Sequence, residues 1–173
     1  MSLDSPTPAG ALDLAAAVQR LQDRVDILET LYAYCRHADW LDGAAMAALF
    51  VEDCVANFQA GAAGALLHGR AALRDFLCNA LGRTASGSHH IANPELIFDG
   101  PDRAVLHCYM YSWQRFSGYP STADCHRWGR YENRFVRTPE GWRMDRLTLV
   151  SAGEYGGARF AEQLGRAFPP AFA

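Results

Sequence analysis

Lysine is missing from the sequence, and all 16 of its basic residues are arginines. Its absence excludes chemistry that needs a lysine amine, such as a Schiff base, a P-loop lysine or a lysine general base. The 16 basic residues almost balance 19 acidic ones, which gives a formal net charge of −3. A charge balance this even does not indicate a nucleic-acid partner.

Cysteines are few, and their spacing matches neither a CxxC zinc motif nor a disulfide framework. We therefore expect free, buried thiols in a reducing compartment. A nucleophilic cysteine would need a basic environment that the sequence does not indicate. The five cysteines are Cys35, Cys54, Cys78, Cys108 and Cys125.

Metal-ligand clusters and nucleotide-binding loops are also missing. Four histidines, His37, His68, His107 and His126, fall on four different predicted elements, so no metal site is expected. The GxGxxG, Walker and GxSxG motifs do not occur. We therefore expect the protein to work without a cofactor.

Long apolar segments are absent as well. No run reaches the roughly 18 consecutive apolar residues that a membrane span needs. Asp4 and Asp13 lie where a signal peptide would have a basic start and an unbroken apolar segment. A cytoplasmic protein without a membrane partner is the expectation.

A long amphipathic helix is the strongest local pattern, and it follows an arm at residues 1–10 that we expect to be disordered. A second, shorter apolar row begins halfway along it, so its C-terminal half is apolar on more than one side and should enter a pocket. The main apolar stripe is Leu14, Val18, Leu21, Val25, Leu28, Tyr32 and Cys35, and the second row is Ile27, Leu31, Tyr34 and Ala38.

The rest of the chain changes from helical to strand character. We expect one domain over residues 11–155, followed by a C-terminal extension at 156–173 with a short helix. The predicted short elements are helices at 44–50 and 70–81 and strands at 55–59 and 66–68, joined by a turn at 61–64. After a break at 86–88, four long strands are predicted at 89–98, 103–116, 122–136 and 142–150.

Helices followed by long strands predict an α+β fold. Three helices cannot cover both faces of the sheet. We therefore expect a strongly curved, mostly antiparallel sheet wrapped round the long helix. Such a cone encloses a cavity, where function is expected. Another subunit should cover the outer face, on which Leu147 and Leu149 are predicted to lie.

Asp39 and His89 are the first candidates for chemistry. Asp39 continues the apolar stripe, so its carboxylate needs a partner unless it only caps the following turn. His89 and His90 open a strand, and adjacent strand residues face opposite sides, so only one of them can enter the cavity. Histidine is a natural general base, and a carboxylate on its other nitrogen would fix its tautomer. A surface or hydrogen-bonded core histidine is the alternative.

Side-chain alternation suggests further cavity residues on the last two strands. Arg146 shares the parity of Trp142 and Met144, so it would face inward and need an anion unless this parity belongs to the outer face. Tyr131 and Asn133 share the parity opposite to that of Arg130, Glu132 and Arg134, which are expected on the solvated face. They are therefore predicted to supply hydrogen-bonding groups to the interior.

Tyr34 is a further candidate on the long helix, although a tyrosine there is more often part of the core. It lies about 140° from Asp39 around an ideal helix. Both side chains reach one substrate only where the helix distorts or where the cavity wraps around it.

Four segments carry a family resemblance: YCRHAD at 34–39, HHIANPE at 89–95, GRYEN at 129–133 and GWRM at 141–144. Over roughly residues 12–155 the chain resembles the SnoaL-like branch of the nuclear transport factor two-like superfamily. The resemblance implies an α+β cone with an apolar cavity. Because this superfamily contains enzymes, binding modules and assembly subunits, the fold alone does not imply an activity.

Within that superfamily the pattern is most similar to cofactor-free eliminating enzymes, namely bile-acid 7α-dehydratase, hexachlorocyclohexane dehydrochlorinase and scytalone dehydratase. The resemblance implies that His89 is the catalytic histidine, with Asp39 as its partner and Tyr34 as an acid or polarising group. It also matches Arg146 to a pocket arginine. Trp113 joins Tyr131 and Asn133 as a substrate-binding residue without an assigned ligand.

The leading expectation is therefore a dehydratase-like or cyclase-like lyase or isomerase acting on a small hydrophobic cyclic molecule. A non-catalytic small subunit of a ring-hydroxylating dioxygenase and a binding module without turnover are the alternatives. Under each of them the protein is expected to form a homodimer or a homotrimer.

Overall fold

The structure, a computed structural model, describes residues 13–58 and 65–156. Its six-stranded sheet has the order β2-β1-β6-β5-β4-β3, in which β1 and β6 are parallel and the other neighbours are antiparallel. The α+β fold is confirmed. The helices in these residues are α1 (Leu14–Asp39), α2 (Gly43–Ala48) and α3 (Arg70–Leu81). The strands are β1 (Phe50–Asn57), β2 (Leu66–His68), β3 (Thr84–Phe98), β4 (Arg103–Phe116), β5 (Cys125–Thr138) and β6 (Gly141–Tyr155).

The predicted bounds are reproduced for α3, β2 and β4, whereas β3 begins at Thr84 and runs through the predicted break. The second helix ends at Ala48, because Phe50 already begins β1. The predicted arm at 1–10, the turn at 61–64 and the C-terminal helix lie outside the described residues.

The first half of α1 does not bury the apolar stripe on which its prediction rested. The first four residues of that stripe, from Leu14 to Val25, are each more than half exposed. The helix packs on β3 and β6 with the second row, which includes Ile27, Leu31 and Ala38. Although α1 has 26 residues, no helix in the described part of the chain is both long and apolar enough to cross a membrane.

Asp23 extends the buried face of α1 toward its N-terminus. Its carboxylate accepts hydrogen bonds from Arg137 Nη2 at 2.7 Å, Trp142 Nε1 at 3.2 Å and Gln19 Nε2 at 3.1 Å. Burial raises the pKa of this carboxyl, but the three hydrogen bonds outweigh burial and hold the pKa below its usual value. This network ties α1 to the hairpin of β5 and β6.

An irregularity in β6 reverses the predicted sides of its later residues. Arg134 pairs with Arg146, but the next residue of β5 pairs with Met144, so Asp145 is an extra residue in β6. Side chains alternate strictly only in a regular strand, and one extra residue exchanges the two faces. Leu147 is therefore in the core, as is Leu149, and Arg146 is exposed on the outer face. The predictions for these three side chains were wrong.

Helix α2 packs closely against α3 at Gly43. A Cβ atom at Gly43 would lie 2.6 Å from the backbone nitrogen of Cys78, so no larger residue fits without displacing α3. Asp42 caps α2 by accepting a hydrogen bond from the backbone of Ala45 at 2.8 Å. This close approach brings Met46 of α2 and Leu77 of α3 beside the sheet, where both line the cavity described below.

The Asp23 network predicts a specific pH dependence of stability. A carboxyl whose folded pKa lies below its unfolded value stabilises the protein fully above the unfolded value, about 3.9, and loses this effect as the pH falls through the folded value. Asp23→Asn should lower the free energy of unfolding by about 1–3 kcal/mol at neutral pH, because Arg137 loses its buried carboxylate partner and keeps only its ion pair with the exposed Asp102. Urea titrations at several pH values should also find a flatter acid limb, meaning that the free energy of unfolding falls less steeply as the pH is lowered than it does in the unsubstituted protein.

The matched control is Asp26→Asn on the exposed side of the same helix, where Asp26 only accepts a hydrogen bond from Gln22. It should leave both stability and the acid limb unchanged. Equal effects of the two substitutions would contradict the structural role assigned to Asp23.

Candidate active site

The C-terminal end of α1 meets the middle of β3 through a histidine–carboxylate pair. Asp39 is the last residue of the helix, and its Oδ1 lies 2.7 Å from Nδ1 of His89. The side chain of His89 is 11% exposed and that of Asp39 is 30% exposed. A carboxylate only accepts hydrogen bonds, so Nδ1 carries the proton and Nε2 carries the lone pair in a neutral imidazole. The residue that caps α2 is Asp42, not Asp39.

His90 faces the opposite side of β3. It is exposed, and its Nε2 lies 2.9 Å from Oγ of Ser88. The register shift of β3 near Pro94 lies between Ala92 and Glu95, which comes after His89 and leaves its orientation unaffected. Of the two adjacent histidines, His89 is the one that faces inward.

His89 forms part of the wall of a cavity of about 70 Å³ between the sheet, the end of α1 and the pair α2–α3. This space is large enough for several water molecules, because one needs about 10–15 Å³ measured in this way. Most of the wall is apolar, and Phe58 and Phe76 stack within it at 5.4 Å. The apolar lining residues are Ala38, Met46, Phe58, Phe76, Leu77, Ala80, Leu81, Met110 and Leu149. The polar ones are Tyr34, His89, Ser112, Gln114, Arg127 and Tyr131.

Tyr34 and Tyr131 lie edge to face in this wall, with ring centroids 6.2 Å apart. Burial raises the pKa of both phenols far above the ordinary value, and the neighbouring Cys35 thiol adds to this for Tyr34. Both side chains therefore stay protonated and can donate a hydrogen bond. No hydrogen bond among the described residues uses either hydroxyl.

Tyr34 and Asp39 point to different sides of α1, and His89 lies between the two spaces that they line. Tyr34 lines the inner cavity, and Asp39 lines a separate recess on the outer side with Tyr32 and Cys35. His89 lines both spaces. The imidazole thus separates the carboxylate from the cavity, and Asp39 acts on a bound molecule only through His89.

Three predicted substrate-binding residues do not line the cavity. Arg146 faces outward because of the extra residue in β6. Trp113 faces outward because Ser112 and Gln114 take the inward positions of β4, and its Nε1 donates to Asp124 Oδ2 at 2.8 Å. Asn133 is fully buried as predicted but lies outside the cavity, and its amide atoms have no hydrogen-bond partner within residues 13–58 and 65–156.

Arg127 is the most informative cavity residue that sequence reasoning missed. Its guanidinium donates through Nε at 3.2 Å and Nη2 at 3.1 Å to Oε2 of Glu154. Arg127 has the same parity on β5 as Tyr131, and the irregularity near it adds its extra residue to β6. The alternation that predicted an inward Tyr131 therefore applied to Arg127 as well.

The cysteines lack the features of a nucleophile. Burial raises the pKa of Cys35 to about 12 and the pKa of Cys108 to about 11. Burial also raises the pKa of Cys125 to about 11, and of the five only Cys78 is exposed. In the part of the chain that the structure describes, no group of three or more His, Cys, Asp or Glu side chains is arranged to hold a metal ion.

The sequence profile of the SnoaL-like domain matches residues 19–148. No curated protein is significantly similar in sequence. A structure from Novosphingobium aromaticivorans DSM 12444, provisionally assigned as a scytalone dehydratase, is 23% identical with a TM-score of 0.74, covering 91% of this chain and 99% of that one.

Two further structures have the same fold. The hexachlorocyclohexane dehydrochlorinase LinA Type2 is 17% identical with a TM-score of 0.70, covering 90% of this chain and 99% of that one. An NTF2-like protein with a cystatin-like fold from Novosphingobium aromaticivorans is 25% identical with a TM-score of 0.60, covering 89% and 98%. The resemblance inferred from the sequence is confirmed at the level of family and fold.

The burial of the thiols predicts how they react with an aromatic disulfide reagent. The native protein should release about one equivalent rapidly, from Cys78, and the remaining thiols only after denaturation, because thiolates are the reactive species and burial suppresses them. Cys78→Ser should abolish the rapid phase, whereas Cys35→Ser should leave it intact. A rapid phase that survives Cys78→Ser would show that a thiol described as buried is accessible.

Proposed function

The chain belongs to the SnoaL-like domain family, and we propose that it is a lyase or isomerase that removes a proton from carbon in a small hydrophobic cyclic substrate, without a cofactor. The observation that carries the proposal is that His89 is hydrogen-bonded to Asp39 and also lines an apolar cavity. The dehydratase-like and dehydrochlorinase structures with the same fold support the choice of reaction class.

His89 is the general base of the proposed reaction. Its Nδ1 is held by Asp39, so Nε2 is the nitrogen that takes the proton from a bound carbon acid. A positioned base of this kind accelerates proton transfer by about 10²–10⁴-fold. The remaining acceleration has to come from the orientation of the substrate and from the exclusion of water by the apolar wall.

Asp39 is a positioning residue that acts through His89. Its carboxylate selects the tautomer with the proton on Nδ1 and stabilises the imidazolium that forms when Nε2 takes a second proton. Its partial exposure keeps the carboxylate solvated, so this charge is held without the full cost of burial.

Tyr34 donates a hydrogen bond in the proposed reaction. Its pKa is raised by burial, so the phenol cannot serve as a base but keeps its proton for an oxygen of the substrate. The oxygen is either a leaving hydroxyl or one that gains negative charge during the reaction. The phenol lies in the inner cavity with His89, which suits both roles.

The proposal predicts exchange of carbon-bound hydrogen in a simple probe. With β-tetralone in heavy water, the protein should accelerate loss of the α-proton signal in the NMR spectrum. His89→Ala should reduce this acceleration by about 10²–10⁴-fold. Asp39→Asn should reduce it by about 10²-fold or more, because the amide no longer selects the productive tautomer.

The matched control is His90→Ala, which removes the adjacent histidine on the outer side of β3 and should leave the exchange rate unchanged. Unaltered exchange in both His89→Ala and Asp39→Asn would end the proposal. Binding of β-tetralone without accelerated exchange in the unsubstituted protein would favour a binding module instead.

A further inference from the structure

A row of four polar residues crosses the sheet from β3 to β6. His89 lies opposite Ser112, Ser112 lies opposite Arg127, and Arg127 lies opposite Glu154. Residues directly opposite each other on neighbouring strands share one face of the sheet. His89, Ser112 and Arg127 all line the cavity, so the row places the imidazole, a hydroxyl and a guanidinium along one wall.

The Arg127–Glu154 pair is largely removed from solvent, with side-chain exposures of 12% and 19%. Removing two charges from water costs several kcal/mol, which their attraction often only offsets. The same two strands are already joined on the outer face by Arg134 and Asp145, where Arg134 is 48% exposed. Joining β5 to β6 therefore does not by itself require a guanidinium in the cavity wall.

Ser112 lies between the imidazole and the guanidinium. It is buried in a wall that is mostly apolar. Its hydroxyl has no hydrogen-bond partner within residues 13–58 and 65–156. Because Ser112 lines the cavity, this hydroxyl is available to donate a hydrogen bond to a bound molecule.

We infer that Ser112 and Arg127 form a polar subsite that holds a carbonyl oxygen of the substrate while His89 removes a proton from the adjacent carbon. The inference rests on the proposed function and assigns the substrate class. The backbones of His89 and Arg127 are two strands apart, about 10 Å. Both side chains line the same cavity, so a small ring system can lie between them.

The charges along this wall favour a neutral oxygen over a carboxylate. Arg127 and Glu154 form one ion pair at this wall and Asp39 adds a negative charge behind His89, so a carboxylate ligand would add a second uncompensated negative charge and compete with Glu154 for the guanidinium. A ketone oxygen accepts a hydrogen bond without displacing Glu154. The predicted substrate is therefore an uncharged cyclic carbonyl compound.

The proposed proton transfer requires no reactant besides the substrate and the protein. Nε2 of His89 takes the α-proton, the electron pair of the C–H bond forms the carbon–carbon double bond of an enolate, and the carbonyl oxygen becomes negatively charged. Arg127 and Ser112 stabilise that charge where it develops. The enolate then expels a substituent from the β-carbon or takes the proton back at another carbon.

The test compares three probes of similar size by calorimetric titration: β-tetralone, the hydrocarbon tetralin and the anion β-naphthoate. The unsubstituted protein should bind β-tetralone about 10- to 100-fold more tightly than tetralin, the range expected for a hydrogen bond from a charged donor. Arg127→Met should reduce this ratio to near one without weakening the binding of tetralin. β-Naphthoate should bind less tightly than β-tetralone.

Two variants keep the test interpretable. Arg134→Met removes the outer ion pair between the same strands and should retain the preference for the ketone. Because Arg127→Met removes the partner of the Arg127–Glu154 ion pair, the double variant Arg127→Met/Glu154→Met replaces both partners by apolar side chains and should show the same loss of preference in a folded protein.

An unchanged ratio in both Arg127 variants would overturn the inference, and so would tighter binding of β-naphthoate than of β-tetralone. His89→Ala separates this inference from the proposed function, because it should abolish deuterium exchange yet keep the preference for the ketone. Loss of exchange in His89→Ala together with an unchanged ratio in Arg127→Met would leave the general base intact and reject the subsite alone.

Discussion

The hydrogen bond between Asp39 and His89 is the interaction on which the site depends. It joins the last residue of α1 to β3, two elements far apart in sequence, and so fixes where the helix ends relative to the sheet. It also determines the state of the imidazole, since the proton sits on Nδ1 and the lone pair on Nε2. The Asp23 network holds the other half of α1 against the hairpin of β5 and β6. Two polar anchors thus place one helix across the sheet.

The register of the sheet decides which side chains reach the cavity. Regular pairing from β3 to β5 places His89, Ser112 and Arg127 side by side on one face. On β6, the extra residue Asp145 turns Arg146 outward, and Leu147 takes the inward position. The polar part of the wall is therefore a product of strand pairing: Ser112 and Arg127 lie on strands paired on both sides, and His89 lies on the edge strand β3.

The elements could be predicted from the sequence because their signals are local: the apolar spacing of α3 and the strand composition of β4 each point to one structure. Asp39 and His89 were candidates from local patterns that also allowed other roles, and their pairing was implied by the family resemblance. The orientation of Arg146 could not be predicted, because an irregular register depends on the neighbouring strand. The exposure of the first half of the α1 stripe has a similar cause: burial depends on where the helix crosses the sheet, and a paired Asp23 can be buried there.

Two of the errors about cavity residues concern β5. Parity placed Tyr131 correctly and would have placed Arg127 correctly, since β5 carries no extra residue between them. Parity alone could not establish that Asn133, although buried, lies beyond the end of the cavity. Three-dimensional packing of α1 decides how far along each strand the open space extends.

The most direct measurement of the central claim is a nitrogen-15 NMR spectrum of the imidazole side chains at neutral pH. If Asp39 orients His89, the neutral ring should have a protonated Nδ1 and an unprotonated Nε2, and Asp39→Asn should alter that tautomer distribution while Asp42→Asn does not. A neutral His89 with its proton on Nε2, or a ring indifferent to Asp39→Asn, would contradict the account.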